Sequence, residues 1–424
     1  MVFYLGIDFG TSGARAIAID EEGRIRREVH YSFAACAATD WLTCWQEGLF
    51  SLIADIPLEI RQEIKAIAIN GTSSTVLLCD AQGNPLDEPI LYNDGRGVTK
   101  LEQLKQIAPA NHPVVSATSS LAKLLWWLEQ PIYPQASYFL HQADWLAFLL
   151  HGCLGVSDYH NALKLGYDGK NLRYPAWLEA LPIQPLLPQV LPPGIPVAPV
   201  TPEIRHRFHF PPDCLVCTGT TDSIAAFLAS GASQPGEAVT SLGSTLVLKL
   251  LSHNPIEDSR YGIYSHRLGN LWLAGGASNT GGTVLRYFFT DEELVSLSSQ
   301  IEATQESPLD YYPLLKPGDR FPLNDPNLPP KLTPRPDNPA AFLHGLLESM
   351  ARIEASGYQL LQDLGATPLT KIYTAGGGAK NPTWTVIRKR HLKVPVISSV
   401  YREAAYGTAL LARQAVLSDY RQSI

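Results

Sequence analysis

Hydrophobic positions at the start of the chain fall in short runs parted by small polar breaks. Phe3–Asp8, Ala14–Asp20 and Arg24–His30 are such runs, and Phe9-Gly10-Thr11-Ser12-Gly13 and Glu21-Glu22-Gly23 separate them. Strands with connections this short predict an antiparallel meander. Lys65–Asn70 reads as a further strand, ending in Gly71-Thr72-Ser73-Ser74, whose small polar side chains suit a pocket wall. Helical character appears over Ser120–Gln130. Proline crowds residues 175–212, which predicts irregular chain, because the ring removes a backbone donor. Leu215–Thr218 resumes as a strand, and Gly219-Thr220-Thr221-Asp222 leads into helical Ser223–Ala229. Asp222 therefore falls at a strand-to-helix junction.

The second half repeats this order. Ala238–Ser241 and Leu246–Leu250 flank a glycine turn, Ser241-Leu242-Gly243-Ser244-Thr245, and Tyr261–Leu268 is joined to Leu271–Ala274 by Gly269-Asn270, a two-residue hairpin signal. The repetition predicts an internal duplication. After a second proline-rich loop at 308–339, Phe342, Leu343, Leu346, Leu347, Met350, Ile353, Leu360, Leu361 and Leu364 recur at helical spacing. Asn338 is placed to cap that helix, Pro339 suits its first turn, and Gly365 ends it. Lys371–Ala375 is a strand, followed by Gly376-Gly377-Gly378-Ala379-Lys380-Asn381-Pro382 and a helix from Thr383, an order on which a nucleotide can lie. The small apolar segment Glu403–Val416 is helical and able to pack back on either domain.

At 424 residues the chain exceeds one ordinary core, so two domains with a cleft between them are expected. Lys plus Arg number 33 against 40 Asp plus Glu, a formal charge of -7, and no basic run offers counterion release to a nucleic acid. No apolar stretch approaches the roughly 18 residues of a spanning helix, and the first residues do not read as a secretion signal. The expected compartment is the cytoplasm, with neither nucleic acid nor membrane as partner. The cysteines, Cys36, Cys44, Cys79, Cys153, Cys214 and Cys217, are too few for a disulfide scaffold. Cys214 and Cys217 form a CxxC, but within an apolar run that reads as a buried strand rather than a redox or zinc site.

Two glycine turns in one chain suggest a clamp for a polyphosphate, since glycine permits close main-chain approach and positive φ. Asp8 ends an apolar strand, where an unpaired carboxylate is costly unless a metal, water or donors compensate it. A turn aspartate bonding its own backbone is the plainer alternative.

Taken in order, these motifs resemble the FGGY family of carbohydrate kinases, in the superfamily of actin, hexokinase and the heat-shock chaperone ATPases. Asp8, Gly10, Thr11, Ser12 and Arg15 match its first phosphate motif, and Leu242-Gly243-Ser244-Thr245 the second. Gly219, Thr221, Asp222 and Ala225 match the segment with its catalytic aspartate, and Ala274–Gly282 a segment near the nucleotide. Gly376–Trp384 resembles the adenosine motif, and Glu403–Ala409 the closing helix. The resemblance implies an α/β fold of two ribonuclease-H-like domains, each a mixed five-stranded sheet flanked by helices, around a central cleft. Residues 1–230 would form the sugar and phosphate side, with the 403–424 helix packing back on it, and 231–402 the nucleotide side.

The resemblance also implies roles. Asp222 would take the proton of a sugar hydroxyl, against the plainer reading of a helix cap. Asp8 would hold Mg2+ through water and touch the sugar. Thr11, Ser12, Gly243, Ser244 and Thr245 would bind the phosphates of ATP, and Gly376, Gly377, Asn381 and Trp384 the adenosine, with core packing the alternative for Trp384. Ser73 is the choice for a sugar contact, against a plain turn serine. Asn93, Asp94 and Arg96 resemble a segment near the sugar, although an Asn-Asp-Gly turn needs no ligand. Asn70-Gly71-Thr72-Ser73-Ser74 replaces the glutamine-containing loop of xylulose and glycerol kinases, and the pattern is closer to a compact cyanobacterial and plant subgroup, which points to D-ribulose, with D-xylulose the alternative. An actin-like polymer or chaperone ATPase and a sugar-binding regulator are the competing classes.

Overall fold

Phe3–Phe9 forms β1 and is shielded along nearly its whole length, so it reads as a continuous apolar run rather than an alternation. It pairs antiparallel with β2 (Gly13–Asp20), which pairs antiparallel with β3 (Ile25–Ser32). On its other side it pairs in parallel with β4 (Ile64–Gly71). Leu215–Cys217 continues the sheet in parallel beyond β4, and Thr220–Thr221 adds a short parallel pairing at the end of β4. The computed structural model describes residues 1–35, 40–110 and 112–417. Cys36 and the stretch past Leu417, to which the last helix was expected to extend, lie outside them.

The proline-rich stretch is more ordered than expected. Pro196–Pro199 is an edge strand antiparallel to Leu215–Cys217, and Pro202–Phe208 is a helix whose Thr201 Oγ1 accepts from Ile204 N at 3.3 Å. The prolines occupy an edge and a first helical turn, the places where a missing donor costs least.

A second sheet repeats the pairing pattern. Glu237–Leu242 pairs antiparallel with Leu246–Ser252 and in parallel with Lys371–Ala375. Leu271–Ser278 extends the antiparallel side and Val396–Ser398 the parallel side. In both sheets, two antiparallel steps lie on one side of a central strand and two parallel steps on the other, as a duplication requires. Each sheet exceeds the five strands expected: the first has seven, with Pro196–Pro199 added at an edge and Thr220–Thr221 off β4, and the second has six, with Tyr264–Leu268 added at an edge.

The chain divides into two compact units, Met1–Ala229 together with the chain from Glu403, and Ser230–Arg402. In the first, the closing helix Ala404–Leu417 lies on β1 with backbone against backbone. A methyl group on Gly6 would stand 2.1 Å from Ala409 N, and one on Gly407 1.9 Å from Ala225 O, so only glycine fits. Tyr406 Oη donates to Gly23 O at 2.9 Å, and Arg413 Nε to Glu21 O at 2.7 Å. Leu5, Ile7 and Phe9, which alternate with Gly6 and Asp8, share a core with Trp45, Leu49, Leu52 and Ile53 of helix Trp41–Ala54.

In the second unit, helix Pro339–Asp363 starts as expected, with Asn338 Oδ1 accepting from Ala340 N at 2.9 Å. Its Phe342, Leu343, Leu346, Leu347 and Met350 pack on Leu242, Leu246, Leu248 and Leu250 of the sheet. Within this core the fully buried Arg388 donates to both oxygens of Glu354 at 2.6 and 2.7 Å and to Thr374 Oγ1 at 2.8 Å. Thr240 Oγ1 donates to the same Glu354 at 2.5 Å.

Cys214 and Cys217 are buried free thiols, and burial pushes Cys217 up to about 12, so a thiolate is disfavoured. No helix among the described residues is long and apolar enough to cross a membrane.

Candidate active site

Asp8, Asn70 and Thr220 stand in one row across β1, β4 and Thr220–Thr221, and Arg15 of β2 is the register partner of Asp8 on its other side. The row lies at the ends of β1 and β4, next to the point where Asp222 opens helix Asp222–Ala229. Asp8 is half-buried, and its Oδ1 is shielded with no hydrogen-bond partner among the described residues. Its carboxyl is pushed up to about 7, chiefly by burial and then by the negative charge of Asp222, while Arg15 and Asn70 pull it down. The sequence-predicted pair of aspartates is thus brought within electrostatic reach, and burial, reinforced by the charge of Asp222, disfavours ionisation of Asp8.

Asp222 Oδ1 accepts from Ser223 N at 2.7 Å at the start of its helix. Behind it, Thr220 Oγ1 and His160 Nδ1 lie 2.7 Å apart, and Asp158 Oδ1 accepts from His160 N at 2.8 Å and Asn161 N at 3.1 Å. These buried polar residues were not anticipated. Their one signal is the polar run Ser157-Asp158-Tyr159-His160-Asn161 between apolar segments.

Magnesium seldom takes more than one or two protein carboxylates and keeps several waters. The orphaned Asp8 Oδ1 suits that demand. No cluster of three or more His, Cys, Asp or Glu side chains suited to a metal occurs among the described residues.

Ser73 is half-buried in the turn after β4. Thr72 N donates to Gln142 Oε1 at 3.0 Å, and Thr72 Oγ1 lies 2.6 Å from Thr75 Oγ1. A glutamine therefore stands beside this loop after all, supplied by helix Gln142–His151 rather than by the loop itself. Asp94 and Arg96 form a bidentate pair, Nη2 to Oδ2 at 2.7 Å, and the guanidinium lies 4.7 Å from the ring centre of Trp126. Thr11 and Ser12 are exposed on the turn closed by Gly10 N donating to Gly13 O at 3.0 Å.

One expectation about glycine is corrected. Gly10, Gly13 and Gly243 are absent from the positive-φ residues. Gly13 is required instead because a methyl group there would stand 2.6 Å from Tyr31 O. Gly376, at φ 81°, does use the left-handed region.

The second unit holds a cavity of about 540 Å³, a size suited to a small ligand. Gly243, Gly377, Asn381 and Trp384 line it, while Gly376, Ser244 and Thr245 do not. The turn at Gly243 supports the start of helix Gly282–Phe288, with Gly282 N donating to Gly243 O at 2.9 Å and Thr283 N to Ser244 O at 3.1 Å. Asn381 Oδ1 caps helix Pro382–Leu392 by accepting from Trp384 N at 3.0 Å, and its Nδ2 donates to Ser298 Oγ at 2.8 Å. Trp384 is 3 % exposed and belongs to the hydrophobic core, so it packs and lines the cavity at once. Arg286, Lys380 and Asp291 also line it, with Arg286 Nε 3.6 Å from Asp291 Oδ1. Lys380 lay within the glycine run, whereas nothing in the sequence pointed to Arg286.

Residues 3–229 match the N-terminal domain and 238–416 the C-terminal domain of the FGGY family of carbohydrate kinases. The chain belongs to that family, which places it with the ATP-dependent carbohydrate kinases rather than with polymer-forming or chaperone ATPases. It is 22% identical over 434 residues to the xylulose kinase of Staphylococcus epidermidis, covering 96% of this chain and 87% of that one. It is 25% identical over 454 residues to the gluconokinase of Bacillus licheniformis, covering 96% and 86%. Its fold is that of ligand-bound xylulose kinase from Lactobacillus acidophilus, with a TM-score of 0.83 at 18% identity over 98% of this chain and 90% of that one.

Proposed function

We propose that this kinase phosphorylates the terminal hydroxyl of a ketopentose in the cytoplasm, with D-ribulose the substrate and D-ribulose 5-phosphate and ADP the products. The observation that carries the reading is the pair Asp8 and Asp222, two interacting carboxylates, one near the end of β1 and one just past Thr220–Thr221 on the other side of β4, with a shielded, unpartnered oxygen on Asp8. Phosphoryl transfer asks mainly that an attacking hydroxyl be aligned and charge on the phosphate oxygens be neutralised. Asp222 accepts the hydroxyl proton as the sugar oxygen bonds to the γ-phosphorus and the bond to the leaving ADP oxygen breaks. A positioned base of this kind contributes about 10²–10⁴ in rate. Asp8 orients the sugar, and its Oδ1 would hold Mg2+ through water, an ion that supplies charge neutralisation when bound.

Thr11, Ser12, Gly243, Ser244 and Thr245 are the residues proposed to bind the phosphates of ATP. Gly376, Gly377, Asn381 and Trp384 hold the adenosine, with Arg286 and Lys380 at the same cavity. Ser73 contacts a sugar hydroxyl. D-ribulose is favoured by the likeness of the motif pattern to a compact cyanobacterial and plant subgroup. D-xylulose is the second reading, favoured by the xylulose kinases among the relatives.

The test is ADP release by the purified protein with ATP and, in turn, D-ribulose, L-ribulose, D-xylulose, L-xylulose, gluconate and glycerol. The expected result is the highest kcat/KM on D-ribulose. A preference for D-xylulose selects the second reading, and a preference for gluconate or glycerol overturns the ketopentose assignment.

A further inference from the structure

Lys123 is a lysine with no exposed surface, placed on helix Ser120–Trp127 among Val76, Leu78, Leu121, Leu124 and Leu125. Its ammonium donates to two main-chain carbonyls, Ser74 O at 2.6 Å and Leu91 O at 2.7 Å. Ser74 ends the turn that carries Ser73 and has φ 68°, a left-handed conformation that non-glycine residues hold only under constraint. Leu91 opens the segment that carries Asn93, Asp94 and Arg96. The same two segments are joined by Tyr92 N donating to Thr75 Oγ1 at 2.9 Å and by the bridge between Val76 and Ile90.

A cation is a poor choice for this position on packing grounds alone, since leucine or methionine would fill it without desolvating a charge. Burial pulls the ammonium down to about 7, Lys164 and Arg96 add to that pull, and Asp94 opposes it. The lysine gives what an apolar side chain cannot, a donor that holds two carbonyls from separate loops on one nitrogen.

We infer that Lys123 is a positioning residue for sugar binding, a buried peg that sets the distance between the Ser73 turn and the Asn93–Arg96 segment and so fixes the shape of the sugar site. This rests on the proposed contact of Ser73 with the sugar. Lys123 itself touches no reacting atom.

The experiment compares the wild-type protein with Lys123→Met, which keeps an unbranched apolar stem one atom shorter and loses both donations, and Lys123→Gln, which keeps an amide donor. Each is assayed by ADP release with the sugar and then ATP varied. The expected result is a sugar KM raised tenfold or more in Lys123→Met and by a smaller factor in Lys123→Gln, with the ATP KM within twofold and kcat within threefold of wild type. An unchanged sugar KM, or parallel rises in both KM values, overturns the inference. So does failure of both variants to fold, which assigns Lys123 to stability alone. If the wild type itself releases no ADP with any sugar, the kinase reading fails first. An active wild type with an unaltered sugar KM in the variants sinks only the role of Lys123.

Discussion

Asn70 Nδ2 donates to Thr408 Oγ1 at 2.6 Å in the buried interior of the first unit, joining β4 to a helix 338 residues further along the chain. Asn70 is also the register partner of Asp8, so the closing helix supports the row on which the candidate site is built. Gly407→Ala would push a methyl group to 1.9 Å from Ala225 O, and overpacking against backbone costs about 3 kcal/mol or more. The urea midpoint is expected to fall accordingly. A Gly407→Ala protein with the wild-type midpoint would show that the helix does not lie this close.

Asp222→Asn is expected to lower sugar-dependent ADP release by about 10²–10⁴ and to leave ATP affinity within a factor of two. Rapid-mix assays with nucleotide binding by calorimetry separate the two effects. Wild-type turnover in this variant would remove Asp222 from the chemistry.

Stability should depend on pH through Asp8. Its carboxyl is pushed up to about 7 in the folded chain against 3.8 for a free aspartate, so between those values the folded state holds a proton that the unfolded state has lost. Stability contributed by that proton falls as pH rises across the window and is gone above about 7. Asp8→Asn removes the penalty. The variant is expected to be more stable than wild type at pH 8 by on the order of 2–4 kcal/mol, with the gap closing toward pH 4, while phosphoryl transfer is lost. Equal unfolding curves at pH 8 would contradict the burial and repulsion assigned to Asp8.

Arg388 and Glu354 are both almost fully buried, at 0 % and 1 % side-chain exposure. Arg388→Met strands the Glu354 carboxylate and should destabilise the protein by about 3–5 kcal/mol. Adding Glu354→Leu to it should recover most of that loss, because a buried ion pair is often replaceable by apolar side chains of similar volume. Thermal denaturation of the single and double variants gives the comparison. A double variant as unstable as the single would mean that the loss of Thr374's donor and of the Thr240 bond to Glu354 sets the cost.

Much of the fold was legible because it is local. The meander at residues 3–32, the Gly269-Asn270 hairpin and the Asn338 cap depend on residues a few positions apart, and the structure has them where the pattern put them. The positions of Asp8 and Asp222 were legible because one closes an apolar strand before a glycine turn and the other stands at a strand-to-helix junction. Gln142, His160 and Lys123 were not, since their partners Thr72, Thr220 and Leu91 lie 70, 60 and 32 residues away. Nothing in the local pattern marks such a pairing. The glycines misled for a different reason. Close packing and positive φ both select glycine, and only the coordinates of Tyr31 and Ala409 show that Gly13 and Gly6 serve packing.

Because the helix Ala404–Leu417 belongs to the first unit while Ser230–Arg402 forms the second, the order of synthesis differs from the order of completion. As the chain leaves the ribosome, the second unit has all its strands before the first has its last helix. Until that helix arrives, Gly6 and Ala225 face no partner, and the nascent first unit presents an open apolar groove.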